Sequence, residues 1–444
     1  MNSVGRNSLI MASGTAASRI TGQIRTILLA AALGTTGTAI NAYQTGAMIP
    51  QVMFTLISGG IFNAVLVPQI VRTLKSEHAQ ERLNKLITTA IVLLLGLTVL
   101  LMFGTSLLTS IYLDSRWNGP QRALVNSFTL WCMPQIFFYG LYTVLGQLLA
   151  AKGRFTAYAW SSVGANIISC AGFIVFIVIF GNAQYRDLEF WTPMKTALTA
   201  GTWTIGVGFQ ALVLFWPLLR SGFKFRFTWG IRGIGLRSMG PIAAWSLGVV
   251  AVNQLANVIN ARITNGAPLA GHDPFGIAGN GSYQNAYALY ILPYSLIAVS
   301  VTTAMFPKLS KAIAEHRIGD ARSDLSQALR NVGLLMMYFT VALIAMPVPI
   351  TRALLPSVDV REAILIAQPL VGLSWGLVAV SAFLLIQRTF YAFEDGRNPF
   401  IFALLFNALQ VVIVLVATTL IPPTEWTSWV GISLSLGVVI AFPF

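Results

Sequence analysis

Charge is what this chain has least of: Asp, Glu, Lys and Arg make up 9% of its 444 residues, against about a quarter in a typical soluble domain. A water-facing globular surface cannot be assembled from so little. Acid is scarcer than base, with 14 Asp+Glu against 28 Lys+Arg, and no acidic residue falls within the long apolar runs set out below. That weighs against ordinary ion-coupled drug export, which generally needs a titratable or ligating carboxylate at membrane depth. The two cysteines, Cys132 and Cys170, both lie in apolar runs, where they behave as small apolar residues rather than as a disulfide or metal framework. The three histidines, at 78, 272 and 316, fall in connecting segments. With no metal-ligand spacing, no nucleophile and base constellation and no phosphate-cradling glycine loop, neither catalysis nor a metal or cofactor is expected. A short basic segment followed by a small-residue cleavage site is also missing, so the first apolar helix reads as retained rather than removed.

What is present is hydrocarbon. Hydrophobic residues make up 56% of the chain and the mean hydropathy is +0.73, which makes the bilayer the solvent. A hydrocarbon core about 30 Å thick takes about 20 apolar residues per helix. Runs of that kind predict about twelve spans, at 8–33, 39–71, 86–113, 123–151, 156–181, 196–219, 238–261, 282–307, 331–351, 363–387, 399–421 and 427–444. Basic loops resist translocation. With the N-terminus inside, alternate connections hold nineteen Lys and Arg inside and seven outside, and the last two of the 28 lie within the first span. The expected topology is therefore multi-pass with a cytoplasmic N-terminus. The basic excess reads as topology and headgroup contact, not as a nucleic-acid surface.

A weak internal repeat divides the chain. Asn41-Ala42-Tyr43, then Ile49-Pro50 and Val67-Pro68-Gln69-Ile70, is echoed six spans later by Asn285-Ala286-Tyr287, Leu292-Pro293 and Phe306-Pro307-Lys308-Leu309. The fourth and tenth spans echo each other as well, through Gln147 with Gly153-Arg154 and Gln387-Arg388 with Gly396-Arg397. Both partners of each pair run in the same direction, so the repeat is parallel. The expected fold is all-α: a polytopic membrane protein with two six-helix lobes, 1–219 and 220–444, around a central cavity. The chain stops inside an apolar run at Phe444, which reads as a second lobe cut short before further helices.

Two arginines stand out in the first span, in Ser18-Arg19-Ile20-Thr21-Gly22-Gln23-Ile24-Arg25. Each costs at least about 2.5 kcal/mol at membrane depth, so it persists only against a wet cavity, a partner or a ligand. Six residues of helix separate them by about 9 Å and about 120°, within reach of one phosphate-bearing head gripped from two sides. The guanidinium fork suits phosphate oxygens. Snorkelling of Arg19 to the interface is the plainer alternative. Asn41 and Gln44 on the second span, and Asn253, Asn257 and Asn260 on one face of the seventh, either line a cavity or hydrogen-bond a neighbouring helix. Pro50, Pro68, Pro134, Pro241, Pro293, Pro347 and Pro349 mark places where helices kink.

Ser18-Arg19 with Gly22 and Arg25, Ala32-Leu33-Gly34, Asn41-Ala42-Tyr43, Met48-Ile49-Pro50 and Gly59-Gly60 followed by Phe62-Asn63-Ala64 and Val67-Pro68 together resemble the opening of the MurJ/MviN family of lipid II flippases. Tyr287 to Pro293 and Thr303 to Lys311 resemble its eighth span. The resemblance implies the fold of the multidrug/oligosaccharidyl-lipid/polysaccharide exporter superfamily in a bacterial plasma membrane. It also implies alternating access of a cationic cavity to an undecaprenyl-pyrophosphate-linked peptidoglycan precursor. Arg19 and Arg25 match the family's first-helix arginines, and Asn41 stands where an aspartate is common. Ser18, Asn253 and Asn257 complete the expected substrate-binding set. Phe54, Ala288 and Ile291 stand where members carry an arginine, an arginine and a glutamate, so this site rests on fewer charges. The implied partners are the lipid-linked precursor and membrane lipids, with cell-wall synthesis or division proteins as candidate protein partners. The alternatives are export of another polyprenyl-linked glycan or an amphipathic drug, or a non-transporting scaffold for wall-synthesis enzymes.

Overall fold

The computed structural model describes residues 3–58, 79–220, 222–228, 230 and 241–443. Within them every regular element is a helix and no strand occurs. Gly59-Gly60, Phe62-Asn63-Ala64, Val67-Pro68-Gln69-Ile70 and the rest of the second expected span lie outside the described residues, as do Arg72, Lys75, Arg232 and Arg237.

Helix α1 (Ser3–Leu33) runs unbroken through both arginines. It ends at Gly34, whose amide donates to the Ala30 carbonyl at 2.8 Å with φ +74°, a left-handed closure that glycine adopts without strain. Its last orphan carbonyls are met from the connection after α7 (Thr156–Phe180): the Ala183 amide donates to Ala32 at 2.8 Å and the Asn182 amide group to Ala31 at 2.9 Å. A helix end away from bulk water needs such partners. Between these come α2 (Thr38–Ile57), α3 (Ala79–Phe103), α4 (Thr105–Tyr112), α5 (Gly119–Cys132) and α6 (Gln135–Ala151). Asn118 and Gln121 form a reciprocal capping box at the start of α5, which satisfies two of its free amides. Pro134 breaks the run between α5 and α6, as its missing amide dictates.

The Pro193–Leu219 stretch follows as α8 (Pro193–Thr196), a π turn (Ala197–Gly201), α9 (Thr202–Leu212) and α10 (Phe215–Leu219). Then come α11 (Pro241–Ala270) and α12 (Asn280–Pro293), the latter running through a π turn (Tyr294–Ala298) into α13 (Val299–Ala314). The π turn begins directly after Pro293, where the missing amide leaves the ladder free to slip. The last helices are α14 (Ile318–Ala345), α15 (Pro347–Leu354), α16 (Val360–Ser374), α17 (Leu377–Ala392), α18 (Arg397–Leu420) and α19 (Trp426–Ala441). A 47° bend separates α16 from α17. Ser435 of α19 donates its hydroxyl to the Gly372 carbonyl at 2.7 Å and the Leu373 carbonyl at 3.0 Å, so carbonyls at the break are met from a neighbouring helix.

Seven described helices are long and apolar enough to cross a membrane, or eight if the bent pair is one span. The expected count was about twelve. The other four expected spans fall on α1, which carries the arginines, on α2 and α11, each of which adjoins residues outside the described ones, and on α19, which has 16 residues. Among the helices that pass, large side chains lie bare, including Phe103 at 87% and Val178 at 79% exposure. Such surfaces belong against lipid rather than water.

The chain divides into two compact units, the first made of Met1–Gly34, Ala42–Ser110 and Asn118–Gly240, the second of Thr35–Asn41, Ile111–Trp117 and Pro241–Phe444. In the first, Leu83, Leu86, Ile87 and Leu94 of α3 pack on Leu141, Leu145 and Leu148 of α6 and on Leu214, Leu218 and Phe223. Two short connections of the N-terminal half thus belong to the second unit. In that unit Trp117 donates its indole N–H to the Asn265 carbonyl at 3.1 Å, and the Asn265 amide group donates to the Tyr112 carbonyl at 3.3 Å.

Candidate functional site

In the first unit, α1 packs along α7, and the contact is polar in the stretch that holds the arginines. Asn166 of α7 donates to the Ser18 carbonyl at 3.0 Å and to the Thr21 hydroxyl oxygen at 3.1 Å. Gly22 lets α7 close in, with the Asn166 amide nitrogen 3.5 Å from where a β-carbon would stand. Asn166 therefore fixes the rotation of α1 about its axis, and with it the directions of Arg19 and Arg25, six residues apart on a continuous helix. Ser18 and Arg19 are both half-buried.

Arg25 is the more revealing of the two. Its guanidinium carbon lies 4.4 Å from the centre of the Trp203 ring of α9, a cation–π contact worth up to about 2 kcal/mol when desolvated. The Trp203 ring stacks at 6.3 Å on Tyr43, which is fully buried and edge-on to Phe128 at 5.4 Å. Arg25 is also within electrostatic reach of Tyr139 and Cys132. Its Nε is buried and finds no hydrogen-bond acceptor among the described residues. The Trp203 helix is itself fastened: Gln135 donates to the Thr204 hydroxyl oxygen at 2.9 Å, and that hydroxyl donates to the Trp131 carbonyl at 2.6 Å. The guanidinium is thus held on one face by a fixed aromatic ring while its edge keeps an unspent charged donor, the arrangement that receives an anion. Phe54, at the position where the resemblance implies a further arginine, packs on Tyr139 at 5.5 Å between ring centres.

The asparagines of the expected set lie in the second unit, in two places. Asn41 is buried, and its Oδ1 accepts the Gly281 amide at the start of α12 at 2.7 Å. Asn253 of α11 accepts from the Asn407 amide group of α18 at 2.8 Å, one of the two uses that its helical spacing allowed. Asn257 is half-buried on the next turn, and Asn260, one turn further, is buried with its Oδ1 unpartnered among the described residues.

Three side chains escaped the sequence reading. Trp203 and Asn166 sit in apolar helices without a spacing signal. The third is Glu362, 7% exposed in the first turn of α16. Its Oε1 accepts both the Thr35 amide at 2.9 Å and the Thr35 hydroxyl at 2.8 Å, and Asp359 caps its own amide at 2.7 Å. Nearby, Ser282 donates to the Thr35 carbonyl at 3.2 Å. The capping pattern Asp359-x-x-Glu362 ahead of an apolar run was the available signal.

These features occur in a chain with known relatives. A family model described as lipid II flippase MurJ matches residues 29–444. A probable lipid II flippase MurJ of Synechocystis is 25% identical over 401 residues, 88% of this chain and 72% of the relative. The lipid II flippase MurJ of Burkholderia cenocepacia is 25% identical over 88% of this chain and 74% of its own length. Among solved structures, a lipid II flippase MurJ in an inward closed conformation superposes with a TM-score of 0.75 at 20% identity, covering 98% of this chain and 87% of the other. An inward-facing multidrug resistance MATE family transporter of the MOP superfamily gives 0.71 at 14% identity, covering 96% and 93%.

Proposed function

We infer that this chain, which belongs to the lipid II flippase MurJ family, is a multi-pass protein of the bacterial inner membrane that moves lipid II to the outer leaflet for cell-wall synthesis. Lipid II is an undecaprenyl-pyrophosphate-linked peptidoglycan precursor, and its anionic head is the part that must cross the hydrocarbon. The observation that carries the assignment of roles is Arg25, braced on Trp203 at 4.4 Å with a buried Nε that has no acceptor among the described residues. A cation kept at membrane depth without an ion pair among the described residues favours an anionic ligand.

In this reading Arg25 supplies the bidentate contact to the pyrophosphate and Arg19, one and two-thirds turns earlier on α1, closes on it from the other side. Ser18 adds a hydroxyl beside them. Asn41 acts by holding the start of α12. The N-terminus lies inside, as the basic loops require. The lobes 1–219 and 220–444 alternate access to the two leaflets. The membrane potential assists, at about 2.3 kcal/mol per charge for each 100 mV.

The test is flipping of fluorescent lipid II by the full chain in proteoliposomes. Arg25→Ala is expected to lower the rate at least tenfold with unchanged folding, and Arg25→Lys to recover only part of it, because an ammonium lacks the fork. Full activity in both Arg19→Ala and Arg25→Ala would end this reading.

A further inference from the structure

Helix α12 and the π turn that continues it carry a stripe that the arginine site does not use. Tyr283, Tyr287, Tyr290 and Tyr294 recur at intervals of four, three and four residues, which places them within about 60° of arc and along about 16 Å of helix. They touch in sequence. Tyr283 stacks on Tyr287 with ring centres 6.4 Å apart and planes at 26°, and Tyr287 meets Tyr290 at 5.9 Å. Tyr283 and Tyr290 are buried at 5% and 2%, whereas Tyr287 is 38% exposed. The Tyr290 hydroxyl is buried without a partner among the described residues. Next to Tyr294 the stripe meets a cation, for Arg388 of α17 interacts with Tyr294 electrostatically and lies 5.8 Å from the Phe306 ring.

An exposed ring in a membrane helix faces either lipid or water. Water is favoured here by Gln284, one turn before Tyr287 and near its side of the helix, which is half-buried and bonds Asn280 at 3.3 Å. A lipid-facing surface rejects such groups, and polar side chains within a span turn toward the protein or a wet cavity. One exposed tyrosine ring, Tyr287, backed by the buried rings of Tyr283 and Tyr290 and with an arginine at one end of the stripe, has a definite chemistry. Flat rings stack on the apolar face of a pyranose while their hydroxyls meet its ring hydroxyls, and the guanidinium takes an anion attached to the sugar.

We propose that the Tyr283–Tyr287–Tyr290–Tyr294 stripe is a glycan-binding surface, with Tyr287 stacking on a sugar ring of the lipid-linked head. This rests on the lipid II reading above, and adds to it a subsite for the sugars separate from the arginine site for the pyrophosphate.

The experiment compares two probes on the full chain in nanodiscs: lipid II, and undecaprenyl pyrophosphate, which has the same anion and tail but no sugar. Tyr287→Leu is expected to weaken lipid II binding about fivefold to tenfold and to leave undecaprenyl pyrophosphate binding unchanged. Tyr287→Phe, which keeps the ring, stays within about twofold of the native chain for both probes. Equal loss of both probes in Tyr287→Leu overturns the proposal, as does undiminished lipid II binding. A native chain that binds neither probe overturns the flippase reading and this inference with it, whereas a native chain that binds both alike overturns the sugar subsite alone.

Discussion

Replacing Glu362 by alanine is expected to destabilise the second unit by about 3 kcal/mol, because two hydrogen bonds to a charged group are each worth about 1.5–3 kcal/mol and part of that returns when Thr35 finds water. The site is 7% exposed, so solvent does little to screen the carboxylate or to replace it. Both Thr35 donors converge on a single atom, Oε1, at 2.9 and 2.8 Å. That convergence makes the series discriminating. Glu362→Gln can place its amide oxygen where Oε1 stands, keep both bonds and lose only their charge assistance, a cost of about 1 kcal/mol. Thr35→Val removes the hydroxyl bond alone, and in the Glu362→Ala background it should cost nothing further. The readout is the apparent Tm of the full chain in detergent, where about 2–4 °C per kcal/mol is the scale for a body of this size. The order native, Gln, Ala is expected, with alanine lower by about 6–12 °C. A glutamine variant as unstable as the alanine variant, or additive losses for Thr35→Val and Glu362→Ala, would refute the single-acceptor account.

Trp203→Leu should slow lipid II flipping about tenfold by removing the ring beneath Arg25, and Trp203→Phe should slow it less; equal rates in the native and leucine chains would dismiss the brace. Asn166→Leu deletes two interhelical bonds to α1 and should cost about 0.6–1.7 kcal/mol in detergent unfolding, the range for such bonds between membrane helices. Gly34→Ala forces a left-handed φ of +74° on a residue with a β-carbon, which would also press into the Gln184 side chain. A loss of about 1–2 kcal/mol is expected, and Gln184→Ala in the same chain should relieve only the steric part. An unshifted Tm in Gly34→Ala would show that the turn at 34 is not held as described.

Much of the architecture was legible because a bilayer leaves few options: a run of apolar residues without charge becomes a helix, since no water is present to satisfy a bare backbone. The bend between α16 and α17 was not, and at Pro293 a kink was expected where the helix takes a π turn. The bend depends on what a neighbouring helix supplies to the loosened carbonyls, as Ser435 does for Gly372 and Leu373. At the site, Arg19 and Arg25 announced themselves through the cost of charge in hydrocarbon. Trp203 gave no such signal, because a tryptophan in an apolar helix is ordinary until a cation is seen to rest on it. Glu362 was passed over for a related reason. At the edge of an apolar run an acid reads as a loop residue, and only the fold reveals that its carboxylate is spent on a threonine 327 positions away in the chain.

That last contrast bears on how a site is found in a membrane protein at all. Eleven buried side-chain atoms of the described residues have no hydrogen-bond partner. Hydroxyl groups such as those of Thr98, Ser169 and Thr340 can rotate onto a carbonyl three or four residues back, so their isolation costs little. The tryptophan and asparagine atoms are neutral, and an unmet neutral group costs about 1–3 kcal/mol. Arg25 alone among the eleven carries a charge and cannot shed it, and it rests on Trp203 rather than on an acceptor. Elsewhere the second unit shows that this fold does satisfy a buried charge when the charge is structural, since Glu362 has two donors on one oxygen. An unsatisfied guanidinium in the same chain is therefore better explained by a partner that comes and goes than by poor packing.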